Sequence, residues 1–271
     1  MILGIDIGGT TTKIAGFENN SIQGLLTVQA DDPVTSASGA LGKFIDTYKL
    51  NLGDIKSISV TGVGAYFLGD DLFGVPLKKV EEFTAIGLGG LFLTRLERAV
   101  VVSMGTGTAL VMADGNKVQH LGGSGVGGGT LIGLARYLLN TTDFENIIDI
   151  ARNGSLENVD LHIEDIVKVD LGTIPASATA SNFGKHSDKA APADLALGLI
   201  NLVCQSIGMM AVFASRSKQI DQIVLSGKLV NLPQAQGIFT RLGKLFGKTF
   251  LFPENAAYCT AVGAACTNGC R

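Results

Sequence analysis

Apolar positions along the chain come in short alternating or continuous runs, and segments with helical spacing separate these runs. A period of two residues predicts strands, whereas apolar residues three and four positions apart predict helices. In the first third of the chain, Leu41, Phe44, Ile45 and Tyr48 have the helical spacing. The patterns there predict strands at 2–7, 12–17 and 55–60 and helices at 37–50 and 81–97. The first two strands form a hairpin because a glycine turn joins them.

The same order of elements begins again near residue 98. Residues 98–104 and 109–113 predict a second hairpin with small residues at its tip. This repetition predicts a duplicated α/β architecture with two lobes, 1–98 and 99–271, which pack directly because no linker or low-complexity segment separates them. The remaining patterns predict helices at 131–138, 143–153, 189–218, 234–247 and 257–267 and strands at 220–225 and 250–252.

The composition excludes several classes of protein. With 46% hydrophobic and 17% charged residues among 271, the chain is not intrinsically disordered. A net charge of -3 gives no general attraction to nucleic acid or to an anionic membrane. Residues 195–215 carry no charge and are long enough to span a bilayer, but Asn201, Gln205 and Ser206 lie among them. We therefore predict a helix buried in a core or a subunit interface.

Cysteine usage predicts a reducing, cytoplasmic environment. The chain has four cysteines, no CxxC pair and no pattern of a signal peptide at its start. Packing is favoured over a metal site, because free cysteine commonly behaves as a small hydrophobic residue. The four are Cys204, Cys259, Cys266 and Cys270.

Four glycine-containing turns lie at or after strand ends, at 8–11, 105–108, 122–129 and 226–227. Exposed backbone N–H groups in such turns, and at a helix N-terminus, form a surface that binds anions. Together they predict a nucleotide clamped between two lobes. A P-loop is excluded because no GxxxxGK[ST] is present, and a dinucleotide fingerprint is disfavoured because 125–129 does not follow a strong first strand.

Two charged residues flank the first turn. Asp6 is the natural partner of Mg²⁺, directly or through water, since this ion prefers one or two carboxylates together with substrate phosphates. Its alternative role is to stabilise the turn. Lys13 either reaches a phosphate or is a solvated strand lysine.

Several motifs give the chain a resemblance to a known superfamily. DIGGTTTK at 6–13, GTGT at 105–108 and Ser226-Gly227 resemble the two phosphate segments and the adenosine segment of the acetate and sugar kinase, Hsp70 and actin superfamily. More narrowly, the whole chain resembles type II pantothenate kinases. The motifs that carry this likeness are TGVGA at 61–65, Glu82-Phe83, SMGTGT at 103–108, GGSGVGGGTLIGL at 122–134, ASNFG at 180–184 and AAYCTAVGAA at 256–265.

This resemblance implies a duplicated ribonuclease-H-like (actin-like ATPase) fold around a nucleotide cleft, a homodimer, and ATP-dependent phosphorylation of the terminal hydroxyl of pantothenate. Matching the motifs gives Glu82 the position of the catalytic base. Its alternative role is to complement the helix dipole, as Glu81 would. The residues then expected to bind ATP and Mg²⁺ are Asp6, Gly8, Gly9, Thr10, Thr11, Lys13, Gly105, Thr106, Gly107, Gly127, Gly128, Gly129, Ser226 and Gly227.

The predicted acceptor pocket departs from the family pattern. Thr106 and His120 are the expected substrate contacts, but the family generally has an arginine where His120 stands and a serine where Ala109 stands. The acceptor is therefore pantothenate or a related hydroxyl compound, with Arg136 or Lys117 as substitute contacts.

Two other functions stay open. One is an ATPase activator of the kind that serves 2-hydroxyacyl-CoA dehydratases, which is disfavoured because the expected Cys-Gly-Gly placement is missing. The other is a sugar kinase of the repressor–kinase family, which is disfavoured because no CxCGxxGC motif is present.

Overall fold

The first lobe of the protein is a mixed sheet with one helix on its outer face. A computed structural model describes residues 1–29, 32–167, 174–185 and 188–268. The elements of this lobe are β1 (Ile2–Ile7), β2 (Thr12–Glu18), β3 (Ser21–Val28), α1 (Pro33–Tyr48), β4 (Ser57–Thr61), β5 (Asp71–Leu72) and β6 (Val75–Lys79). The strand order is β3-β2-β1-β4-β6-β5, with β1 antiparallel to β2 and parallel to β4.

The second lobe repeats this arrangement with a sheet of five strands. The elements that follow in the chain are α2 (Glu82–Thr94), β7 (Arg98–Met104), β8 (Thr108–Asp114), β9 (Lys117–Ser124), α3 (Gly128–Leu139), α4 (Phe144–Ala151), β10 (Leu161–His162), α5 (Ile163–Ile166), β11 (Thr179–Ser181), α6 (Pro192–Lys218), β12 (Gln222–Ser226), α7 (Pro233–Phe246) and β13 (Thr249–Leu251), and the last is α8 (Cys259–Cys266), which packs with the first lobe. The sheet order is β13-β12-β7-β8-β9, and β10 pairs with β11 separately.

Both predicted hairpins are confirmed, and so is the duplicated α/β architecture. The patterns did not predict β3, which pairs with β2 through a turn at Asn19 and Asn20. Both asparagines have positive φ, at 51° and 61°. Asparagine tolerates this conformation well, and two such residues in a row make a two-residue hairpin turn. The two asparagines of the turn were therefore the sequence signal that a strand follows, because the apolar residues of β3 do not alternate.

Side chains alternate across β1, and this alternation decides what each face of the first sheet contacts. Leu3, Ile5 and Ile7 pack with α1 in one hydrophobic cluster. Gly4 lies on the opposite face, where α8 crosses the strand: a Cβ there would overlap the backbone carbonyl of Ala261. The next residue on that inner face is Asp6, which therefore points toward the other lobe.

The two lobes are joined by a crossed pair of helices. Helix α2 packs on the second sheet, where Ile86 shares a cluster with Val101, whereas α8 packs on β1 and β2 of the first sheet. The helices also contact each other, and a Cβ at Gly263 would overlap the carbonyl of Ala85. A division at residue 98 stays a prediction. The last helix of the chain packs with the first lobe, and the helix that precedes residue 98 packs with the second.

The long apolar helix α6 is largely a core element. Of the described helices, it is the one long and apolar enough to cross a membrane, and 61% of its most apolar window is buried inside the protein. Leu199, Ile200, Val203 and Cys204 lie in the largest hydrophobic cluster. The prediction of a buried helix at 195–215 is confirmed.

The cysteines are distributed over separate clusters. Cys204 belongs to the core of the second lobe, Cys259 to the cluster around α2, and Cys266 packs against the cluster around α8. Cys270 lies outside the described residues. This burial agrees with the packing interpretation of Cys204 and Cys259.

Replacing Gly263 by alanine is expected to destabilise the protein by about 1–3 kcal/mol or more, because the new methyl group would overlap a backbone carbonyl that cannot move freely. The measurement is denaturant unfolding. Gly42→Ala is the matched control: that glycine lies exposed in α1 with open space around it, and alanine there is expected to stabilise by roughly 0.5–1 kcal/mol. Equal effects of the two substitutions would contradict the close helix crossing.

Candidate active site

The β1–β2 hairpin carries the first group of predicted site residues. Asp6 lies directly opposite Lys13 in the antiparallel ladder and beside Thr61 at the end of β4. Gly62 follows with φ of +85°, and a Cβ there would lie 2.6 Å from the Ile7 carbonyl oxygen and 2.8 Å from Asp6 Oδ1. Only glycine allows the end of β4 to come this close to the Asp6 carboxylate.

The surroundings of Asp6 strongly affect its charge. Burial raises the pKa of the Asp6 carboxyl to about 6; the nearby Lys13 ammonium lowers it, and the nearby Glu82 carboxylate raises it. Among the described residues, none donates a hydrogen bond to this carboxylate. An oxygen ligand that is desolvated and unpaired suits a hard divalent cation, so the donor chemistry fits Mg²⁺.

The two glutamates at the start of α2 differ in structural role. The Glu81 carboxylate accepts hydrogen bonds from the backbone N–H groups of Phe83 and Thr84, at 3.1 and 2.6 Å, and thereby caps the helix. The Glu82 carboxylate accepts no hydrogen bond from the described residues. Burial, and then the neighbouring charge of Glu81, raise the pKa of Glu82. Glu82 is therefore the glutamate that is free to exchange a proton.

An aromatic pair adjoins Glu82. The rings of Phe83 on α2 and His120 on β9 stack with centroids 3.8 Å apart and planes inclined by 7°. His120 is otherwise exposed, so the pair forms part of the protein surface at the start of α2. The sequence placed His120 near the acceptor but missed the role of Phe83, whose only signal was its position beside Glu82.

The second phosphate turn and the glycine-rich segment form one packed unit. Gly128 N donates to the Gly105 carbonyl at 2.8 Å, and Gly129 N donates to that of Thr106 at 2.9 Å. Gly127 N donates to Thr130 Oγ1 at 3.2 Å. The backbone N–H groups at the start of α3 thus already donate hydrogen bonds within the protein.

The phosphate role of Gly127, Gly128 and Gly129 stays a prediction, and phosphate binding by their amides requires exchange of these bonds. The amides of two turn residues are also engaged: Gly8 N donates to the Thr11 carbonyl at 3.1 Å, and Gly105 N donates to that of Gly107 at 2.9 Å. The exposed turn residues are Gly8, Gly9, Thr10, Gly105 and Thr106.

The Ser226-Gly227 segment lies at the end of β12, next to β7. Ser226 Oγ donates to the Val102 carbonyl at 3.2 Å, and Gly227 N donates to the Ala256 carbonyl at 3.0 Å. Gly227 has φ of +92°, and a Cβ there would overlap the backbone of Met104. This glycine therefore permits the contact between two strand ends.

Cys259 is buried where α8 begins and contacts α2. Its Sγ donates to the Ile86 carbonyl at 3.6 Å, and a Cβ at Gly89 of α2 would overlap the Cys259 carbonyl. Burial raises the pKa of the thiol to about 12. Ala257 and Tyr258, which directly precede it, line a cavity together with residues of the first hairpin.

A cavity of about 870 Å³ opens between the lobes at this place. It is lined by Thr11 and Lys13 from the first hairpin, Ser36 and Lys43 from α1, and Lys228 and Tyr258 from the second lobe. This size suits a small-molecule ligand. A smaller cavity of about 110 Å³ lies on the other side of Gly8 and Gly9.

Comparison with known proteins assigns the family. A sequence model of the Fumble family matches residues 98–267. The type II pantothenate kinase of Bacillus cereus is 32% identical over 97% of this chain and 96% of its own length, and that of Bacillus anthracis is 33% identical over 97% and 95%. This chain belongs to the type II pantothenate kinase family. The family member of Staphylococcus haemolyticus is 29% identical and covers 99% of the chain.

Solved structures agree on the fold of this family member. The activator of 2-hydroxyisocaproyl-CoA dehydratase from Clostridium difficile, with bound ADPNP, has a TM-score of 0.66 at 18% identity, covering 97% of this chain and 92% of the activator. A ROK family glucokinase from Streptomyces griseus, in complex with glucose and AMPPNP, has a TM-score of 0.61 at 13% identity, covering 98% of each chain. Both confirm the actin-like ATPase fold and, at these identities, nothing further.

Replacing Asp6 by asparagine is expected to raise the melting temperature at pH 7.5. The folded-state pKa of about 6 exceeds the ordinary value of 3.8, so folded protein binds the proton more tightly than unfolded protein. Stability therefore falls as pH rises between these values, and the cost of the buried charge is fully present above them. Asparagine carries no charge, and the gain should vanish below about pH 4.

The measurement is thermal unfolding of both proteins from pH 3.5 to 8 without divalent cations. Asp70→Asn, at an exposed position, is the control and should leave the pH dependence unchanged. A pH-independent difference between wild type and Asp6→Asn would rule out the desolvated carboxylate.

Proposed function

We propose that this protein is an ATP-dependent kinase that phosphorylates the terminal hydroxyl of pantothenate, giving 4'-phosphopantothenate for coenzyme A biosynthesis. The observation that carries the proposal is identity of about a third, over nearly the whole chain, to proteins named type II pantothenate kinase. The Glu82 carboxylate, which does not cap α2 and lies near Asp6, supplies the general base that phosphorylation of a hydroxyl needs.

The reaction assigns Glu82 the role of general base. Its carboxylate accepts the proton of the acceptor hydroxyl while the hydroxyl oxygen forms a bond to the γ-phosphorus of ATP. The bond between this phosphorus and the oxygen that bridges to the β-phosphate breaks, and ADP leaves. Because burial raises the pKa of Glu82, its carboxylate is a stronger base than an ordinary exposed glutamate.

The remaining predicted site residues bind the nucleotide. Thr10, Thr11 and Lys13 of the first hairpin would contact phosphates: Thr11 and Lys13 line the cavity, and Thr10 is exposed on the turn, as Thr106 is on the second turn. Ser226 and Gly227 lead to Lys228, which lines the same cavity. Asp6 would hold Mg²⁺, directly or through water, and the ion would neutralise phosphate charge.

On the acceptor side, the His120 ring is stacked on Phe83, the residue that follows Glu82 in the chain. A stacked imidazole cannot form the two-pronged contact of the arginine usual at this position. We therefore expect weaker recognition of the pantothenate carboxylate than of the reacting hydroxyl end, and related hydroxyl compounds to be tolerated.

The two other functions have less support. The dehydratase activator and the ROK glucokinase share the fold with this chain at 18% and 13% identity. A shared fold at that level of identity does not show that two proteins have the same substrate or partner. Full-length relatives named as kinases favour transfer to an alcohol.

The test is ADP release on addition of pantothenate, measured for wild type and Glu82→Gln with and without Mg²⁺. We expect pantothenate to stimulate turnover only with Mg²⁺, and Glu82→Gln to lower kcat by roughly 10²–10⁴-fold, the usual contribution of a general base. Glu81→Gln is the matched control: it weakens the helix cap and lowers stability by about 0.5–2 kcal/mol but should retain most of kcat. Turnover that pantothenate never stimulates would overturn the substrate, and full activity of Glu82→Gln would overturn the base.

We further propose a cytoplasmic homodimer. Helix α6 leaves Phe213 59% exposed, although most of the helix is buried, and α3 leaves Tyr137 84% exposed. Large exposed aromatic residues are typical of protein interfaces. Phe213→Glu is expected to shift the protein from dimer to monomer in light scattering, whereas Leu52→Glu, at a less exposed aliphatic residue of the first lobe, should not. A monomeric wild type would overturn the dimer.

A further inference from the structure

The inter-lobe cavity contains a lysine to which the sequence patterns assigned no function. Lys43 lies on α1 and lines the cavity together with Lys13 of β2 and Lys228 of the second lobe. We propose that Lys43 is a nucleotide-binding residue that contacts the phosphate chain from the α1 side of the cavity. This inference rests on the proposed kinase function and adds a residue to its nucleotide site.

One face of α1 borders the cavity. Thr35, Gly39 and Lys43 are four residues apart, so they lie above one another on the same face of the helix, and all three line the cavity. All three are exposed, and a Cβ at Gly39 would meet nothing within 4 Å. A ligand in the cavity can therefore reach the Lys43 ammonium.

Among the described residues, no carboxylate neutralises the charge of Lys43. Asp46, one turn further along α1, is already paired with Lys49 at 3.1 Å. Lys228 also has no carboxylate partner in the described part of the chain, and its ammonium lies 4.4 Å from the centroid of the Phe144 ring.

The cavity lining is consequently positive. Three lysines from three different elements face it, and none of the described residues that line it is an aspartate or a glutamate. Converging like charges favour an anionic ligand, and partial enclosure between two lobes strengthens the attraction. A polyanion can form ion pairs with all three ammonium groups at once.

The phosphate chain of a nucleotide is the ligand that this cavity favours over the acceptor. The lining includes Thr11 and Lys13 of the first phosphate turn and Lys228, which directly follows Ser226-Gly227. An acceptor with a single carboxylate would need only one of the three cations, whereas the several negative charges of a phosphate chain can contact all three.

The experiment compares Lys43→Met with wild type by calorimetric titration of ATP, inorganic tripolyphosphate and adenosine. Methionine keeps the length and helix propensity of lysine but removes its charge. We expect ATP and tripolyphosphate to bind roughly tenfold more weakly to Lys43→Met, the effect of losing one charge-assisted contact. Adenosine affinity should not change, and Lys43→Arg should restore ATP affinity.

Lys56→Met is the matched control, since it removes the same charge from an exposed position in the same lobe, outside the cavity lining. Unchanged ATP affinity in Lys43→Met would overturn the inference. So would a rise in KM for pantothenate alone, an equal loss in Lys56→Met, or failure of wild type to bind tripolyphosphate. Tight ATP binding that depends on Lys43, in a protein that never phosphorylates pantothenate, would overturn the proposed function and leave the inference intact.

Discussion

The close approach of α8 to β1 and α2 is the contact on which the arrangement of the two lobes depends. Backbone meets backbone at Gly4 and Gly263, where any side chain would overlap a carbonyl group. A C-terminal helix thereby becomes part of the first lobe, and α2 becomes part of the second. The two lobes are thus held in contact through the packing of α8 against α2.

This packing also determines the electrostatics of the site. Asp6 lies on the same face of β1 as Gly4, so it points toward the layer of crossed helices. Its desolvation there, together with the charge of Glu82, keeps its pKa high. Such a carboxylate is poorly accommodated by the protein alone and gains from a cation, which is how function and stability oppose each other at this residue.

The glycine-rich turns have more than one physical purpose. Glycines had been expected to expose amides to phosphate, yet those of Gly128 and Gly129 bond to carbonyl groups of the second phosphate turn. Their lack of side chains permits this contact, since a Cβ at Gly129 would lie 2.9 Å from the Thr106 methyl group. Composition alone cannot distinguish a glycine that binds a ligand from one that allows two segments of backbone to pack.

The sequence by itself determined the two hairpins, most helices and the duplicated order of elements, because apolar periodicity and turn residues act over short distances. Motif spacing also brought Asp6, Lys13, Glu82 and His120 into one proposed site. Only the three-dimensional structure decided that Glu81, and not Glu82, caps α2. It also decided that Phe83 stacks on His120 and that Lys43 shares a cavity with Lys13 and Lys228. The stack and the shared cavity depend on contacts between residues far apart in the chain, and local patterns carry no record of which distant surfaces meet. The Glu81 cap is a local contact with Phe83 and Thr84, but two adjacent glutamates offer the same cap in the sequence, and only the observed helix start distinguishes them.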